Sequence, residues 1–187
     1  MVLAGPSGVG KGAIVSRLLA ARPDIELSVS ATTRRPRPDE IDGRHYYFVD
    51  PDTFDRLVAS GGLLEWAEIF GNRYGTPREP VERALAEGRT VVVEIDVQGA
   101  RQIREALPDA YMVFIKPPSL EELERRLRTR DTETDEQVRR RLAKASEELA
   151  AEPEFDATVV NDRLDHAARK VIELVDQLDR RTMKSRK

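Results

Sequence analysis

The residues Gly5-Pro6-Ser7-Gly8-Val9-Gly10-Lys11 constrain this chain more than any other feature of its sequence. A short apolar run, residues 1–4, leads into them, and Ile14, Val15, Leu18 and Leu19 follow at the spacing of one helix face. A glycine-rich turn between a strand and a helix can aim its backbone N–H groups inward. The helix N-terminus adds positive potential, and the lysine reaches the outer phosphates of a bound nucleotide. A plain glycine turn with a surface lysine is the competing reading, and the strand–loop–helix setting argues against it. The candidate phosphate-binding residues are therefore Gly5, Pro6, Ser7, Gly8, Val9, Gly10, Lys11 and Gly12. Gly12 departs from the pattern, because that position usually carries a Ser or Thr hydroxyl directed at Mg2+. Since Mg2+ keeps several waters, a water can take the missing place. Two outcomes stay open: turnover with weaker metal binding, or nucleotide binding with slow turnover.

Composition removes several classes of function. The 187 residues suit one compact α/β domain with small insertions. A net charge of −3, with 35% charged residues, argues against a broad basic surface, so no nucleic-acid partner is expected. The absence of cysteine excludes disulfides, thiolate zinc sites and a cysteine nucleophile. His45 and His166 stand in unrelated contexts and make no metal site. No apolar run approaches membrane-spanning length and no leader pattern opens the chain. The expected compartment is the cytoplasm, without a membrane partner; monomer and homo-oligomer are both open. The run 1–4 is short for a strand of its kind, which leaves a misassigned start or a trimmed chain as readings.

Strand and helix patterns alternate along the sequence. Helices are expected at 11–22, 78–87, 98–107 and 164–178, and strands at 1–4, 26–29, 46–49, 63–70, 90–95, 110–115 and 157–160. Asp50 caps a further helix with Pro51 at its first position. Ser119 with Glu122, and Thr134 with Gln137, read as capping boxes for helices through 127 and 150. Residues 33–43 read as a loop, Tyr74 as part of a turn, and the last five residues as a frayed polar tail. This order predicts a three-layer αβα core with a parallel sheet, interrupted by a small mixed α/β insertion and by an arginine-dense helical lid.

The acceptor side is carried by Ser28-Val29-Ser30-Ala31-Thr32-Thr33-Arg34-Arg35-Pro36-Arg37-Pro38, with Asp42-Gly43, Tyr46-Tyr47-Phe48-Val49, Leu64-Glu65-Trp66-Ala67 and Tyr74-Gly75-Thr76. Arg34 and Arg37, stiffened by prolines, can fork onto a dianionic phosphate. Tyr46, Tyr74 and Ser30 can add hydroxyl contacts. A solvated basic loop beside two packed tyrosines is the alternative. For a base, Glu65 can accept from the N1–H and N2–H of guanine, and Thr76 can donate to O6; adenine would present a lone pair to the carboxylate. A site of this type can discriminate by ~10⁴–10⁵. Strand alternation predicts that Trp66 packs while Glu65 faces the ligand.

From the phosphate loop to Asn161, these motifs resemble the guanylate kinases in order and spacing. The resemblance implies a P-loop αβα core, transfer of a phosphoryl group from ATP to GMP, with dGMP as a further acceptor, Mg2+ as the accompanying ion, and a role in purine nucleotide recycling. It implies GMP contacts for Ser30, Arg34, Arg37, Tyr46, Glu65, Tyr74, Gly75 and Thr76. It also places Glu94 and Asp96, at the end of the buried strand, along the GMP site. Their own chemistry leaves open orienting the acceptor ribose or base, or, for Asp96, holding Mg2+ through water. Residues 125–141 hold seven arginines. Most read as paired surface charge, but Arg130 and Arg141 match the family's lid arginines and are expected to close on the ATP phosphates. Asp131 stands where the family commonly has glycine. Asn161 matches the residue near the adenine of ATP.

Lys11, Arg34, Arg130 and Arg141 are thus the expected catalytic group, arranged around direct in-line transfer. The expected organisation is one domain, with core segments 1–29, 79–119 and 149–187, an acceptor-binding segment 30–78, and a lid 120–148. Two other readings stay in view. A P-loop kinase for another monophosphate is disfavoured by the pairing of Glu65 with Thr76. A non-catalytic module of the same fold that binds phosphorylated peptides is disfavoured by Lys11 and the lid arginines.

Overall fold

A computed structural model describes residues 1–69, 71–129 and 134–185. Its elements, in chain order, begin with β1 (Val2–Ala4), α1 (Lys11–Ala21), β2 (Glu26–Leu27), β3 (Ala31–Thr32), β4 (Tyr47–Phe48) and α2 (Pro51–Ala59). There follow β5 (Leu63–Ile69), β6 (Asn72–Pro77), α3 (Arg78–Ala86), β7 (Val91–Ile95), α4 (Val97–Ala106) and β8 (Met112–Lys116). The chain closes with α5 (Leu120–Arg128), α6 (Asp135–Leu149), β9 (Ala157–Val160) and α7 (Leu164–Ser185). One sheet has the strand order β2-β7-β1-β8-β9 and a second the order β4-β3-β6-β5. The chain divides into two compact units: Met1–Asp24, Glu94–Val97 and Tyr111–Lys187 in the first, Ile25–Val93 and Gln98–Ala110 in the second.

In the first unit, β1, β8 and β9 pair in parallel, with Val2 opposite Met112 and Ile115 opposite Val159. The apolar runs of β1 and β8 are buried, as strands covered on both faces require. Helix α1 buries Ile14, Val15 and Leu18 and packs against α7, which buries Ala167, Val171 and Val175 at four-residue intervals. Arg22 fastens this pair of helices through Asp176 at 2.5 Å and Asp179 at 2.7 Å. Helix α7 continues to Ser185, past the end expected from its apolar stripe, because the residues beyond Leu178 are mostly good helix formers.

Helices α5 and α6 pack through Leu123, Leu127, Val138 and Ala145. Thr134 and Gln137 close a full capping box at the start of α6. At α5 only half of the expected box forms: Ser119 accepts from the Glu122 backbone, whereas the Glu122 carboxylate turns to Arg125 and Arg126. Two charged partners outbid one backbone N–H.

In the second unit, β2 pairs with β7 in parallel. The other sheet is mixed: β3 runs parallel to β4 and antiparallel to β6, and β5 and β6 form an antiparallel pair. Phe54 of α2 packs with Ala31 and Leu63 under this sheet. Strand β3 lies in residues given no element by the sequence, just before the expected loop, and most of β6 goes beyond the turn expected at Tyr74. The first is too short to show alternation, and the second contains Gly75 and Pro77, which lower strand propensity. Their partners in the sheet, not their own composition, make them strands.

Candidate functional site

The phosphate loop joins β1 to α1 within the first unit. Gly10 has φ +95° and is the N-cap of α1; a Cβ there would lie 2.6 Å from the Asn161 amide nitrogen. Both conformation and space therefore demand glycine. Asn161 is buried and donates its side-chain N–H to the Val9 carbonyl at 2.7 Å. Arg126 donates to the Asn161 carbonyl at 2.9 Å and reaches the Val9 carbonyl at 3.4 Å. The loop is thus clasped from the end of β9 and from α5. Lys11 folds back over it, its Nζ donating to the Gly5 carbonyl at 2.6 Å and to the Pro6 carbonyl at 3.3 Å.

The surroundings of Lys11 are acidic. Burial pushes its ammonium below the usual lysine value, while Glu94, Glu148 and Asp96 oppose that shift. Burial likewise pushes the Glu94 carboxyl up, with Lys11 opposing. Glu94 stands on β7 and Asp96 just past its end; both act on Lys11, and both belong to the unit that carries the loop. Asp96 faces Lys144, whose Nζ lies 3.5 Å from its carboxylate and 3.8 Å from Glu148. Glu148 is only 8% exposed, and it accepts from the Ser7 backbone. Arg141 lies 3.4 Å from the Ser7 hydroxyl. Arg141, Lys144 and Glu148, at spacings of three and four, give α6 a charged face toward the loop. Arg130 and Asp131 lie outside the described residues.

Among the described residues, no group of three or more Asp, Glu, His or Cys side chains is arranged to hold a metal. The oxygens of Glu94 lie 3.6 and 3.7 Å from where a Cβ at Gly12 would stand. Carboxylate oxygens beside a phosphate loop suit a hard, largely hydrated cation, so the donor chemistry fits Mg2+ held through water.

The second unit holds the other candidates. Glu65 on β5 and Thr76 on β6 are directly opposed across the antiparallel pair. The Thr76 hydroxyl donates to Glu65 Oε1 at 2.7 Å, and both residues are buried, at 0% and 5% exposure. The other carboxylate oxygen sits where Gly99 leaves room, since a Cβ on Gly99 would come within 2.4 Å of it. Gln102, one turn further along α4, pairs with the Trp66 backbone through bonds of 3.1 and 2.8 Å, fixing the strand that presents Glu65. Gly75 is buried against the Glu65 carbonyl. Trp66 points away from Glu65, as alternation requires, but packs only in part. It is 40% exposed and meets Phe54 edge to face at 6.3 Å.

Around Arg34 a second cluster forms. Its guanidinium lies 5.4 Å from the Tyr46 ring centre and 5.8 Å from that of Phe48. Tyr46 and Tyr74 meet edge to face at 5.9 Å. Arg34 donates to Glu40 at 2.7 Å, which raises the guanidinium pKa and holds the Glu40 carboxyl below the usual carboxylate range. Arg37 lies exposed nearby, on the same loop. Ser30 accepts a backbone bond from Tyr47, which seats β4 beside β3.

Five residues of these two groups escape the motif reading: Glu40, Gln102, Arg126, Lys144 and Glu148. Lys144 and Glu148 had a signal, since they share a helix face with Arg141. Gln102 and Arg126 act on backbone carbonyls or amides of distant segments, which no spacing encodes.

Each unit thus presents a distinct constellation: a clasped phosphate loop with acid and lysine neighbours, and a buried carboxylate–hydroxyl pair with an arginine stacked on aromatic rings. Comparison with known proteins agrees on one family. The family model for guanylate kinase matches residues 1–178. The guanylate kinase of Synechococcus sp. (strain CC9902) is 61% identical over 170 residues, covering 91% of each chain. That of Thermobifida fusca (strain YX) is 58% identical over 174 residues, covering 93% of this chain and 89% of the relative. The solved guanylate kinase of Anaplasma phagocytophilum superposes with a TM-score of 0.78 at 34% identity, covering 94% of this chain and 83% of that one. With motif order, fold and relatives all agreeing over nearly the whole length, this chain belongs to the guanylate kinase family.

Proposed function

We propose that this chain transfers the γ-phosphoryl group of ATP to GMP, giving ADP and GDP. A phosphate oxygen of GMP attacks the γ-phosphorus in line. The bond from that phosphorus to the β–γ bridging oxygen breaks, and ADP leaves with the electron pair. Such a transfer needs alignment, charge neutralisation and exclusion of water rather than a nucleophilic side chain.

On this reading the loop from Gly5 to Gly12 cradles the ATP phosphates, with Lys11 moving from the loop carbonyls to the β- and γ-phosphates. Asn161 and Arg126 keep the loop in shape. Arg141, together with Arg130, neutralises charge on the transferring group. Arg34, Arg37, Tyr46, Tyr74 and Ser30 receive the GMP phosphate. Glu65 accepts from guanine N1–H and N2–H, and Thr76 orients that carboxylate. For Thr76 to read O6, its hydroxyl must turn from Glu65 to the base. Glu94 and Asp96 would hold Mg2+ through its waters, where the ion offsets phosphate charge.

The observation that carries the reading is the buried Glu65–Thr76 pair, in a chain that also holds a lysine-ended phosphate loop. A carboxylate kept in a dry site needs hydrogen-bond donors, and guanine offers two on one edge. The test is ADP formation from ATP and Mg2+ with GMP, AMP, CMP or no acceptor. The expected result is turnover with GMP and negligible ATP loss without an acceptor. Equal turnover with AMP, or rapid ATP hydrolysis without GMP, would overturn it.

A further inference from the structure

We propose that Glu40 is a positioning residue for the acceptor phosphate, joining Arg34 and Arg37 into one preformed anion clamp. The inference rests on the proposed function and adds a residue to its acceptor site.

The geometry is local. Arg37, Pro38, Asp39 and Glu40 make a turn closed by the Glu40 N–H on the Arg37 carbonyl at 3.1 Å, with proline at the position that prefers its fixed φ. The Glu40 side chain then returns to the Arg37 N–H, which it accepts at 2.8 Å through Oε2. Both backbone polar groups of Arg37 are thus held by one residue. The other oxygen, Oε1, accepts from Arg34 Nη2 at 2.7 Å. Side-chain exposures of 16% for Arg34 and 14% for Glu40 shield this pair from water. Arg34 Nη1 donates to the Arg35 carbonyl at 2.8 Å, and the guanidinium lies near the Tyr46 and Phe48 rings. Arg34 is therefore fixed in plane and orientation, and Arg37 is fixed in backbone while its side chain stays exposed to receive an anion.

A carboxylate beside an anion site can also act as a competitor that ligand must displace. Two features favour the positioning role. The bond to Arg37 N–H occupies a backbone group and would have no purpose in a competitor. Glu40 also takes Arg34 through a single oxygen instead of the two-pronged grip that a carboxylate can form with guanidinium, so further N–H groups remain for phosphate. Pre-ordering two long side chains removes an entropic cost that would otherwise fall on binding.

The test compares wild type with Glu40→Gln and Glu40→Asp by calorimetric titration with GMP and with guanosine, alongside KM and kcat. Gln is isosteric, but its amide places a donor against either Arg34 or Arg37 N–H. Loss of one charge-assisted bond should weaken GMP binding and raise its KM about tenfold, with a smaller change in kcat. Guanosine, which lacks the phosphate, should bind all three proteins alike, and this is the readout a general folding defect would not spare. Asp keeps the charge but is too short to span both contacts, and should fall between the other two. Unchanged or tighter GMP binding by Glu40→Gln would overturn the inference, as would equal losses for GMP and guanosine. Failure of wild type to bind GMP at all would bring down the acceptor reading itself, and the inference with it.

Discussion

The Thr76 hydroxyl gives its hydrogen to Glu65 Oε1 across the β5–β6 pair, at 2.7 Å and out of contact with water. A carboxylate in that position has one oxygen oriented by the protein and acceptor capacity left for a ligand. Glu65→Gln keeps the shape but substitutes a donor for one acceptor. With the amide N–H₂ toward guanine, a donor faces donors; with it toward Thr76, the hydroxyl must accept instead of donate, and guanine meets one neutral oxygen in place of a carboxylate. The expected outcome is a fall in kcat/KM for GMP of about 10²–10³-fold, the loss of one to two charge-assisted hydrogen bonds, with thermal stability little changed. Steady-state kinetics with GMP as the varied substrate measures this. A fall below threefold would remove Glu65 from base recognition.

Gly99 tests the same carboxylate from the other side. In a helix interior, Gly→Ala ordinarily stabilises by about 1 kcal/mol. Here the added methyl would stand 2.4 Å from Glu65 Oε2, so the carboxylate must move. Gly99→Ala is therefore expected to raise the KM for GMP at least about tenfold, a displacement of the order of an ångström at a hydrogen-bonded site. The KM for ATP should stay as it was. An unaltered KM for GMP would mean that the carboxylate position is not critical.

How much of this could be read from sequence depended on the range of the interaction. The phosphate loop, the Asp50–Pro51 helix start and the Thr134–Gln137 box are local, and each forms as its residues dictate. Strands β1, β7 and β8 declared themselves by their largely apolar runs. Strand β3 did not, because two residues carry no period and its identity comes from β4 and β6 on either side. Within the sites, motif spacing singled out Glu65, Thr76 and Arg34, yet it gave no hint that Thr76 spends its hydrogen on Glu65 or that Glu40 holds Arg34. Those contacts depend on which side chain wins a shared donor, and several partners were equally compatible with the order of residues.

Gly12 is where the loop departs from its usual chemistry, and the structure leaves room to restore it. Its φ lies outside the left-handed region, and a Cβ would lie 3.6 Å from the nearest Glu94 oxygen, an ordinary contact. Gly12→Ser should fold normally, with a gain of roughly 0.5 kcal/mol from helix propensity alone. Its hydroxyl would add an oxygen beside Glu94. The Mg2+ concentration giving half-maximal ADP formation should fall about fivefold, the worth of one neutral hydrogen-bond-scale contact. Titration of free Mg2+ at fixed ATP and GMP decides this, and an unchanged or higher requirement would count against a metal position beside Glu94.

Glu94 itself links stability to pH. Burial outweighs the attraction of Lys11, so its carboxyl lies above the ordinary value of 4.5. The folded chain then holds this proton more tightly than the unfolded chain does. Stability from this group is full below pH 4.5 and is lost as pH rises through the raised folded value. Ionisation of this carboxyl therefore works against folding. Glu94→Gln imitates the protonated acid at every pH, so its denaturant midpoint should exceed that of wild type at pH 7. The difference should shrink as pH falls and vanish below the ordinary carboxylate value, where Glu94 is protonated in both states. Phosphoryl transfer should fall in the same variant, because the charge that weakens the fold also faces Lys11 and the proposed metal position. Denaturant unfolding across this pH range, paired with ADP formation, tests both halves. A Gln variant less stable than wild type at pH 7 would mean that the Lys11–Glu94 attraction exceeds the cost of burying the carboxylate.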